Sequence, residues 1–155
     1  MMGTGEDAPR GQGLRICLVV SQFNEPITAA LERGARDCLL SAGVVAEDIE
    51  VLRVPGAWEL PLGVLWMLER GEFDAIIALG CVIRGETPHF EYISMGATVG
   101  LEALSREYAI PLGFGLLTTE DGDQAKARAG GAKGNKGHEA ALAVLHMCRL
   151  ADRLG

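Results

Sequence analysis

The stretch FDAIIAL, residues 73–79, decides the fold class of this chain. It is an almost continuous apolar run of strand length, followed at once by Gly80, which is typical of a strand buried on both faces. Three further strand candidates occur along the chain: LRICLVV (14–20), IEVLRV (49–54) and IPLGFGLL (110–117). Buried strands of this kind belong to parallel sheets covered by helices, so we expect helices between them.

Helical patterns occupy the intervals between the strand candidates. We predict helices over 26–42, 59–69, 91–108 and 138–154, and a short helix over 121–129. Pro26 suits a first helical turn, and Gly43 and Gly71 suit positions that follow a helix. The alternation predicts an α/β fold, a three-layer sandwich of flavodoxin-like outline with a four-stranded parallel sheet and helices on both faces. The segment GGAKGNKG (130–137) is predicted to be a loop.

The length of 155 residues corresponds to a single domain. Residues 1–13, MMGTGEDAPRGQG, are predicted to form a flexible N-terminal tail, and residues 14–155 the domain. The tail has no apolar segment, so we expect no secretory signal, and no apolar run approaches the ~20 residues that span a bilayer. We therefore expect a cytoplasmic protein.

Charge and hydropathy restrict the possible partners. The chain has 14 Lys and Arg against 21 Asp and Glu, a net charge of −7. It therefore lacks the basic surface by which proteins bind nucleic acids or anionic membranes, and we expect neither as a partner. Its mean hydropathy of +0.19 is high for a small monomer and indicates a homo-oligomer that covers apolar surface.

The cysteines and the missing motifs argue against a cofactor. Cysteines at positions 17, 38, 81 and 148 are scattered over apolar stretches, and we expect reduced core residues rather than disulfide partners or zinc ligands. The sequence also lacks the glycine-rich nucleotide-binding motifs, the H-E-x-x-H zinc motif and the G-x-S-x-G elbow. We expect no metal and no cofactor, and either a cofactor-free activity or a binding role.

Ligands of such sheets bind beyond the carboxyl ends of the strands, so the residues after each strand are the candidates. Phe23 offers an aromatic face to a heterocycle, Glu59 can accept hydrogen bonds from hydroxyls, and the imidazole of His89 can transfer protons. The loop 84–89 leads into a helix whose first amide groups can bind an anion. The guanidinium of Arg128 can pair with a phosphate.

Each candidate also has a purely structural interpretation. Phe23 can cap the core, Trp58 can serve packing, and Arg128 can be a solvated surface residue. Glu59 and His89 can be residues of a first helical turn. The residues alone therefore predict a small α/β protein with a site that accepts an anion.

Longer motifs connect the chain to a known family. The segments VPGAWELP (54–61) and ALGCVIRGETPHFEY (78–92) are long and specific in combination. Together with FN (23–24), FGLLTTE (114–120), RAG (128–130) and NKG (135–137), they resemble the lumazine synthase family over about residues 14–154. The resemblance implies a transferase that condenses 5-amino-6-(D-ribitylamino)uracil with 3,4-dihydroxy-2-butanone 4-phosphate. The products are 6,7-dimethyl-8-ribityllumazine, phosphate and water, in the penultimate, cofactor-free step of riboflavin biosynthesis.

The resemblance also implies roles for individual residues. Those that would bind the pyrimidine and its ribityl chain are Phe23, Ala57, Trp58, Glu59, Cys81, Val82, Ile83 and Phe114, the last supplied by a neighbouring subunit. Those that would bind the phosphate are Glu86, Thr87 and Arg128, with Lys136 as an accessory positive charge. His89 would be the catalytic residue that transfers protons.

The implied assembly is a pentamer with its sites at subunit interfaces. A sixty-subunit shell and riboflavin synthase as a partner are left open, and residues 1–13 lack the apolar strand that shell-forming relatives carry. The alternative function is that of a non-catalytic flavin- or lumazine-binding protein, or a shell-forming protein, of the same fold. A further alternative is an unrelated flavodoxin-like enzyme that acts on phosphate esters.

Overall fold

The computed structural model describes residues 9–155. At its centre is a four-stranded sheet in the order β2-β1-β3-β4, and all three strand pairs are parallel. The strands are β1 (Ile16–Ser21), β2 (Ile49–Val54), β3 (Ala75–Ile83) and β4 (Leu112–Thr119). The four predicted strands are therefore confirmed, as is their parallel arrangement.

In the described part of the chain, five α-helices surround the sheet, namely α1 (Glu25–Ser41), α2 (Leu60–Glu69), α3 (His89–Tyr108), α4 (Gly122–Ala127) and α5 (Lys136–Leu154). Helices α1 and α5 pack on one face of the sheet, and α2 and α3 pack on the other. The predicted three-layer sandwich of flavodoxin-like outline is confirmed. Within residues 9–155, no helix is both long and apolar enough to cross a membrane.

The side chains of β1 alternate between two hydrophobic cores. Ile16 and Leu18 point toward α1 and α5, whereas Cys17 and Val19 point toward α2 and α3, and all four are completely buried. Burial on both faces is the reason that this strand reads as a continuous apolar run rather than as an alternating one. The four cysteines are all buried and free, in agreement with the expectation of core residues.

Several predicted boundaries are wrong by a few residues. Strand β3 continues past Leu79 to Ile83 because β4 pairs with it up to the contact of Ile83 with Thr119. Residues 80–83, which lie beyond the predicted end of the strand, therefore belong to β3. Helix α3 begins at His89, two residues before the predicted start, with Pro88 as its N-cap residue.

The predicted loop 130–137 contains regular structure. Residues Ala129–Gly131 (β5) and Gly134–Asn135 (β6) form a two-stranded antiparallel ribbon, which also ends the short helix α4 earlier than predicted. The Asn135 side chain accepts a hydrogen bond from the backbone N–H of His138 (3.1 Å), at the start of α5. It also donates to the carbonyl of Ala30 on α1 (3.0 Å), which attaches the ribbon to the domain.

The predicted tail falls only partly within the described residues, since residues 1–8 lie outside them. The N–H of Gly11 donates to the carbonyl of Ala42 (2.8 Å). The guanidinium of Arg149 donates to the carbonyls of Arg10 (2.6 Å) and Gln12 (3.1 Å). Residues 10–12 thus pack against the domain rather than standing apart from it.

The close approach of α1 and α5 yields a test of the packing. A Cβ atom added to Gly137 would overlap the carbonyl oxygen of Leu31 and lie 3.0 Å from its Cα atom, so the two helices would have to move apart. We expect Gly137→Ala to lower the free energy of unfolding by about 2 kcal/mol or more, as overpacking of backbone against backbone does. The measurement is chemical denaturation.

Gly122→Ala is the matched control, because Gly122 is also near the start of a helix and no atom would lie within 4 Å of its added Cβ. We expect this control to change the free energy of unfolding by less than about 0.5 kcal/mol. Equal stabilities of the two variants would contradict the packing described here.

Candidate active site

A cavity of about 510 Å³ opens at the carboxyl ends of β1 and β3, beside the first turns of α3. Its lining is mainly apolar and aromatic, with one carboxylate, one imidazole and one hydroxyl. The lining residues are Phe23, Gly56, Ala57, Trp58, Glu59, Cys81, Val82, Ile83, Gly85, Thr87, His89, Phe90 and Ile93. A largely apolar cavity with a few polar groups is the usual form of a small-molecule site.

The segment after β1 presents an aromatic ring to this cavity. Phe23 is 70% exposed, and its N–H donates to the carbonyl of Pro55 (3.1 Å), which holds the segment beside the end of β2. The next residue, Asn24, has a left-handed backbone (φ 63°) and donates from Nδ2 to the carbonyl of Cys81 (2.9 Å). The sequence interpretation gave no role to Asn24, whose contact spans 57 residues of sequence and is therefore not visible in a local pattern.

The turn between β2 and α2 supplies the carboxylate. Residues Ala57–Glu59 form one turn of 3₁₀ helix, in which the N–H of Glu59 donates to the carbonyl of Gly56 (3.2 Å). The position where Gly56 would carry a Cβ atom lies 3.3 Å from Oε1 of Glu59. The carboxylate therefore folds back over Gly56, at the lining of the cavity, where it can accept hydrogen bonds.

The last residues of β3 form one side of the cavity. Cys81, Val82 and Ile83 pair with β4 on one edge of the strand, whereas the β1 ladder ends at the pairing of Val20 with Leu79. The backbone of residues 80–83 is thus free of a strand partner on the β1 side. That open edge is the part of β3 whose peptide groups can be reached by a ligand.

The thiol of Cys81 points away from this edge. Its side chain belongs to the core formed with α1 and α5, and the residue is only 2% exposed. Burial in this apolar surrounding raises the pKa of the thiol to about 11. The thiol is therefore protonated at neutral pH, and the residue contributes to the cavity through its backbone.

The loop before α3 is held in place by Arg84, which the sequence interpretation did not single out as a site residue. Its guanidinium lies 2.6 Å from a carboxylate oxygen of Glu91 on α3 and 2.8 Å from one of Glu120 after β4. It also lies 4.5 Å from the ring centroid of Phe90, which lines the cavity. The backbone N–H of His89 donates to Oγ1 of Thr87 over a long 3.4 Å. The hydroxyl of Thr87, which can bind an anion, and the imidazole of His89, which can transfer protons, therefore both belong to residues at the start of α3.

Four predicted site residues do not line this cavity within one protomer. Glu86 is exposed between Gly85 and Thr87, which do line it. Phe114 and Lys136 line a different cavity of about 500 Å³, formed by the outer edge of β4 and by α5. Arg128 is exposed at the end of α4, and its carbonyl accepts a hydrogen bond from the N–H of Lys136 (2.8 Å), so the two cationic residues are neighbours.

The arrangement suits a planar heterocycle with a polar substituent and an anionic second ligand. Phe23 and Trp58 offer aromatic faces, and Glu59 offers an acceptor. The α3 N-terminus and Thr87 offer donors for an anion, with His89 adjacent for proton transfer. Among the described residues, no three of the types His, Cys, Asp and Glu are grouped so that they could hold a metal ion.

Comparison with known proteins gives a consistent result. Residues 13–152 match the family model described as 6,7-dimethyl-8-ribityllumazine synthase. A protein of that name from Gemmatimonas aurantiaca is 50% identical over 145 residues, which cover 94% of this chain and 88% of the relative. A protein of the same name from Porphyromonas gingivalis is 48% identical over 94% of this chain and 90% of the relative. One from Chlorobaculum tepidum is 46% identical over 96% of this chain and 96% of the relative.

The buried thiols yield a test of the described cores. Burial raises the pKa of Cys17 to about 12 and those of Cys38, Cys81 and Cys148 to about 11. Because the thiolate is the reactive form, we expect no alkylation of the folded protein by iodoacetamide at neutral pH, and faster reaction only as the pH approaches 11. Intact mass measures the modification, and the unfolded protein, which we expect to take up four groups, is the control. A folded protein alkylated at Cys81 at neutral pH would contradict this placement of the thiol.

Proposed function

This chain belongs to the 6,7-dimethyl-8-ribityllumazine synthase family, and from that membership we propose the reaction of its cavity. The cavity condenses 5-amino-6-(D-ribitylamino)uracil with 3,4-dihydroxy-2-butanone 4-phosphate to give 6,7-dimethyl-8-ribityllumazine, phosphate and water. The observation that supports this proposal best is that an aromatic ring, a carboxylate, an open strand edge and an imidazole surround one space at the carboxyl edge of the sheet.

In this proposal the pyrimidine occupies the space between Phe23 and the open edge of β3. The exposed ring of Phe23 stacks on the heterocycle, and the peptide groups of Val82 and Ile83 pair with its polar edge. The ribityl chain lies along Ala57 and Trp58, where the carboxylate of Glu59 accepts hydrogen bonds from its hydroxyls. These contacts use an aromatic face and fixed acceptors, which combine affinity with orientation.

The phosphate of the second substrate binds at the entry to α3. Amide groups of Glu86 and the first helical turn, with the hydroxyl of Thr87, donate to its oxygens, and the positive end of the helix dipole favours its charge. Arg128 supplies a guanidinium to the phosphate, and Lys136, its neighbour through a backbone hydrogen bond, adds positive charge.

His89 transfers the protons of the reaction. Attack of the amine on the ketone and loss of water form an imine, elimination of phosphate follows, and ring closure releases a second water. Each of these steps moves a proton, and His89 lines the cavity at the first residue of α3, beside the proposed phosphate position. Holding two small substrates in contact supplies a large part of the rate, so we expect catalysis to persist in part without the imidazole.

The proposed functional unit is a pentamer in the cytoplasm, without a metal or organic cofactor. Phe114 lies on the edge strand β4 and Lys136 at the start of α5, both away from the cavity of their own protomer, so Phe114 can cover the ring in a neighbouring subunit. Tyr92, Met95 and Val99 are more than half exposed at helical spacing on α3, which supports a covered interface there. Riboflavin synthase, which would consume the product, remains a candidate partner.

The first experiment mixes the two substrates with the protein and follows lumazine absorbance and fluorescence together with phosphate release. We expect saturable lumazine formation with equal phosphate release. His89→Ala should slow this turnover by about 10- to 100-fold without abolishing it. Binding of the pyrimidine or of lumazine without product above the uncatalysed rate would instead indicate a non-catalytic binding protein.

The proposed phosphate contact yields a second test. Charge-assisted hydrogen bonds to a phosphate are strong, so we expect Arg128→Ala to raise the KM of the butanone phosphate by about 10- to 100-fold. The KM of the pyrimidine should change by less than about threefold. Lys133→Ala is the control, because it removes the same charge from an exposed position in the turn between β5 and β6. An unchanged KM for the butanone phosphate in Arg128→Ala would show that Arg128 does not bind the phosphate.

A further inference from the structure

The indole of Trp58 rests directly on the backbone of α3 at a glycine. A Cβ atom added to Gly96 would overlap Cζ3 of Trp58 and lie 3.2 Å from its Cε3 and 3.4 Å from its Cη2. These three atoms belong to the outer ring of the indole, so any side chain at position 96 would have to displace that ring. Glycine is unfavourable inside a helix, and its occurrence within α3 therefore needs a reason in packing.

A second glycine on α3 repeats this arrangement one turn later. A Cβ atom on Gly100 would lie 2.9 Å from Cγ and 3.0 Å from Cβ of Pro61. Trp58 and Pro61 flank the short segment that carries Glu59, and both lie against the same face of α3. The segment between β2 and α2 is thus seated on α3 at two positions without side chains.

The position of Trp58 matters to the cavity but little to the core. Trp58 is 59% exposed and lines the cavity together with Ile93, which is one turn before Gly96 on α3. The same segment is anchored in the core by Ala57 and Leu60, which are 7% and 0% exposed. Displacing the indole would therefore change the cavity while leaving the anchors of the segment buried.

Resting on the proposed function, we propose that Gly96 is a positioning residue. It seats the Trp58 indole against α3 and thereby sets the width of the part of the cavity that takes the ribityl-substituted pyrimidine. A methyl group at position 96 pushes the indole either into the cavity or outward into solvent. Both displacements alter the space for the pyrimidine, whereas the phosphate position at the entry to α3 lies more than one helical turn away from Gly96.

The test compares four proteins: the parent, Gly96→Ala, Trp58→Phe and the double variant. Phenylalanine lacks the outer ring of the indole, so the three atoms nearest to the added methyl group are absent in the Trp58→Phe background. We expect Gly96→Ala to raise the KM of the pyrimidine at least about fivefold when Trp58 is present, and by less than about twofold when it is replaced. The KM of the butanone phosphate and kcat should change much less than the KM of the pyrimidine.

A spectroscopic measurement tests the same contact independently of catalysis. The chain has two tryptophans, so Trp66→Phe leaves Trp58 as the only indole. In that background we expect Gly96→Ala to shift the emission maximum of Trp58 and to change the quenching of its fluorescence by the pyrimidine substrate. A parent protein that forms no lumazine would contradict the proposed function, and the emission comparison would still test the position of the indole.

Three results would overturn the proposal. The first is a pyrimidine KM and an emission maximum that Gly96→Ala leaves unchanged. The second is an equal effect of Gly96→Ala with tryptophan and with phenylalanine at position 58, including a failure to fold in both backgrounds. The third is an equal rise in KM for both substrates. If Gly96→Ala fails to fold only when Trp58 is present, the rescue by phenylalanine supports the contact.

Discussion

The pairing of β3 with β4 along nearly the whole length of β3 is the constraint on which the site depends. Strand β1 leaves β3 after the pairing of Val20 with Leu79, but β4 stays paired with it as far as Ile83. The end of β3 is therefore rigid on one side and open on the other. On the open side, the Asn24 side chain donates a hydrogen bond to the carbonyl of Cys81, and Val82 and Ile83 line the cavity. Rigid strands position ligand-binding groups more accurately than loops do.

The same pairing also sets the direction of the chain beyond β3. The N–H of Arg84 donates to the carbonyl of Thr119 (2.9 Å), which extends the contact with β4 by one residue. From there the Arg84 side chain reaches Glu91 on α3 and Glu120 after β4. Single exposed ion pairs contribute little to stability, but a guanidinium shared by two carboxylates and one aromatic ring restricts the loop that precedes His89. The entry to α3 is thus held in place before a ligand binds.

The architecture could be predicted from the sequence because strands that are buried on both faces appear in it as continuous apolar runs. The sequence predicts an end of β3 at Leu79, too early, because the apolar run is followed by Gly80 and glycine is depleted in strands. A Cβ atom at Gly80 would lie 2.9 Å from Oγ of Ser21 and 3.0 Å from Cδ1 of Leu116, so this glycine marks a close approach inside the sheet. Phe23, Glu59 and His89, which line the cavity, could be picked out because they follow strands, whereas Ala57, Cys81, Val82 and Ile83 were implied only by the family resemblance. Asn24 and Arg84 could not be picked out, since their roles depend on contacts with residues distant in sequence. Phe114 and Lys136, which the family resemblance implies as site residues, line a second cavity of this protomer.

The contact between Trp58 and Gly96 has a consequence for how such a protein changes over time. The two positions do not change independently, because an added methyl group at position 96 displaces the indole of Trp58 and loses that effect when the indole is absent. A chain that loses the indole first can then leave glycine at position 96, with a gain in helix propensity, without a further displacement in the cavity. A chain that replaces Gly96 first passes through a form with a displaced indole, so the order of the two substitutions decides whether that form occurs.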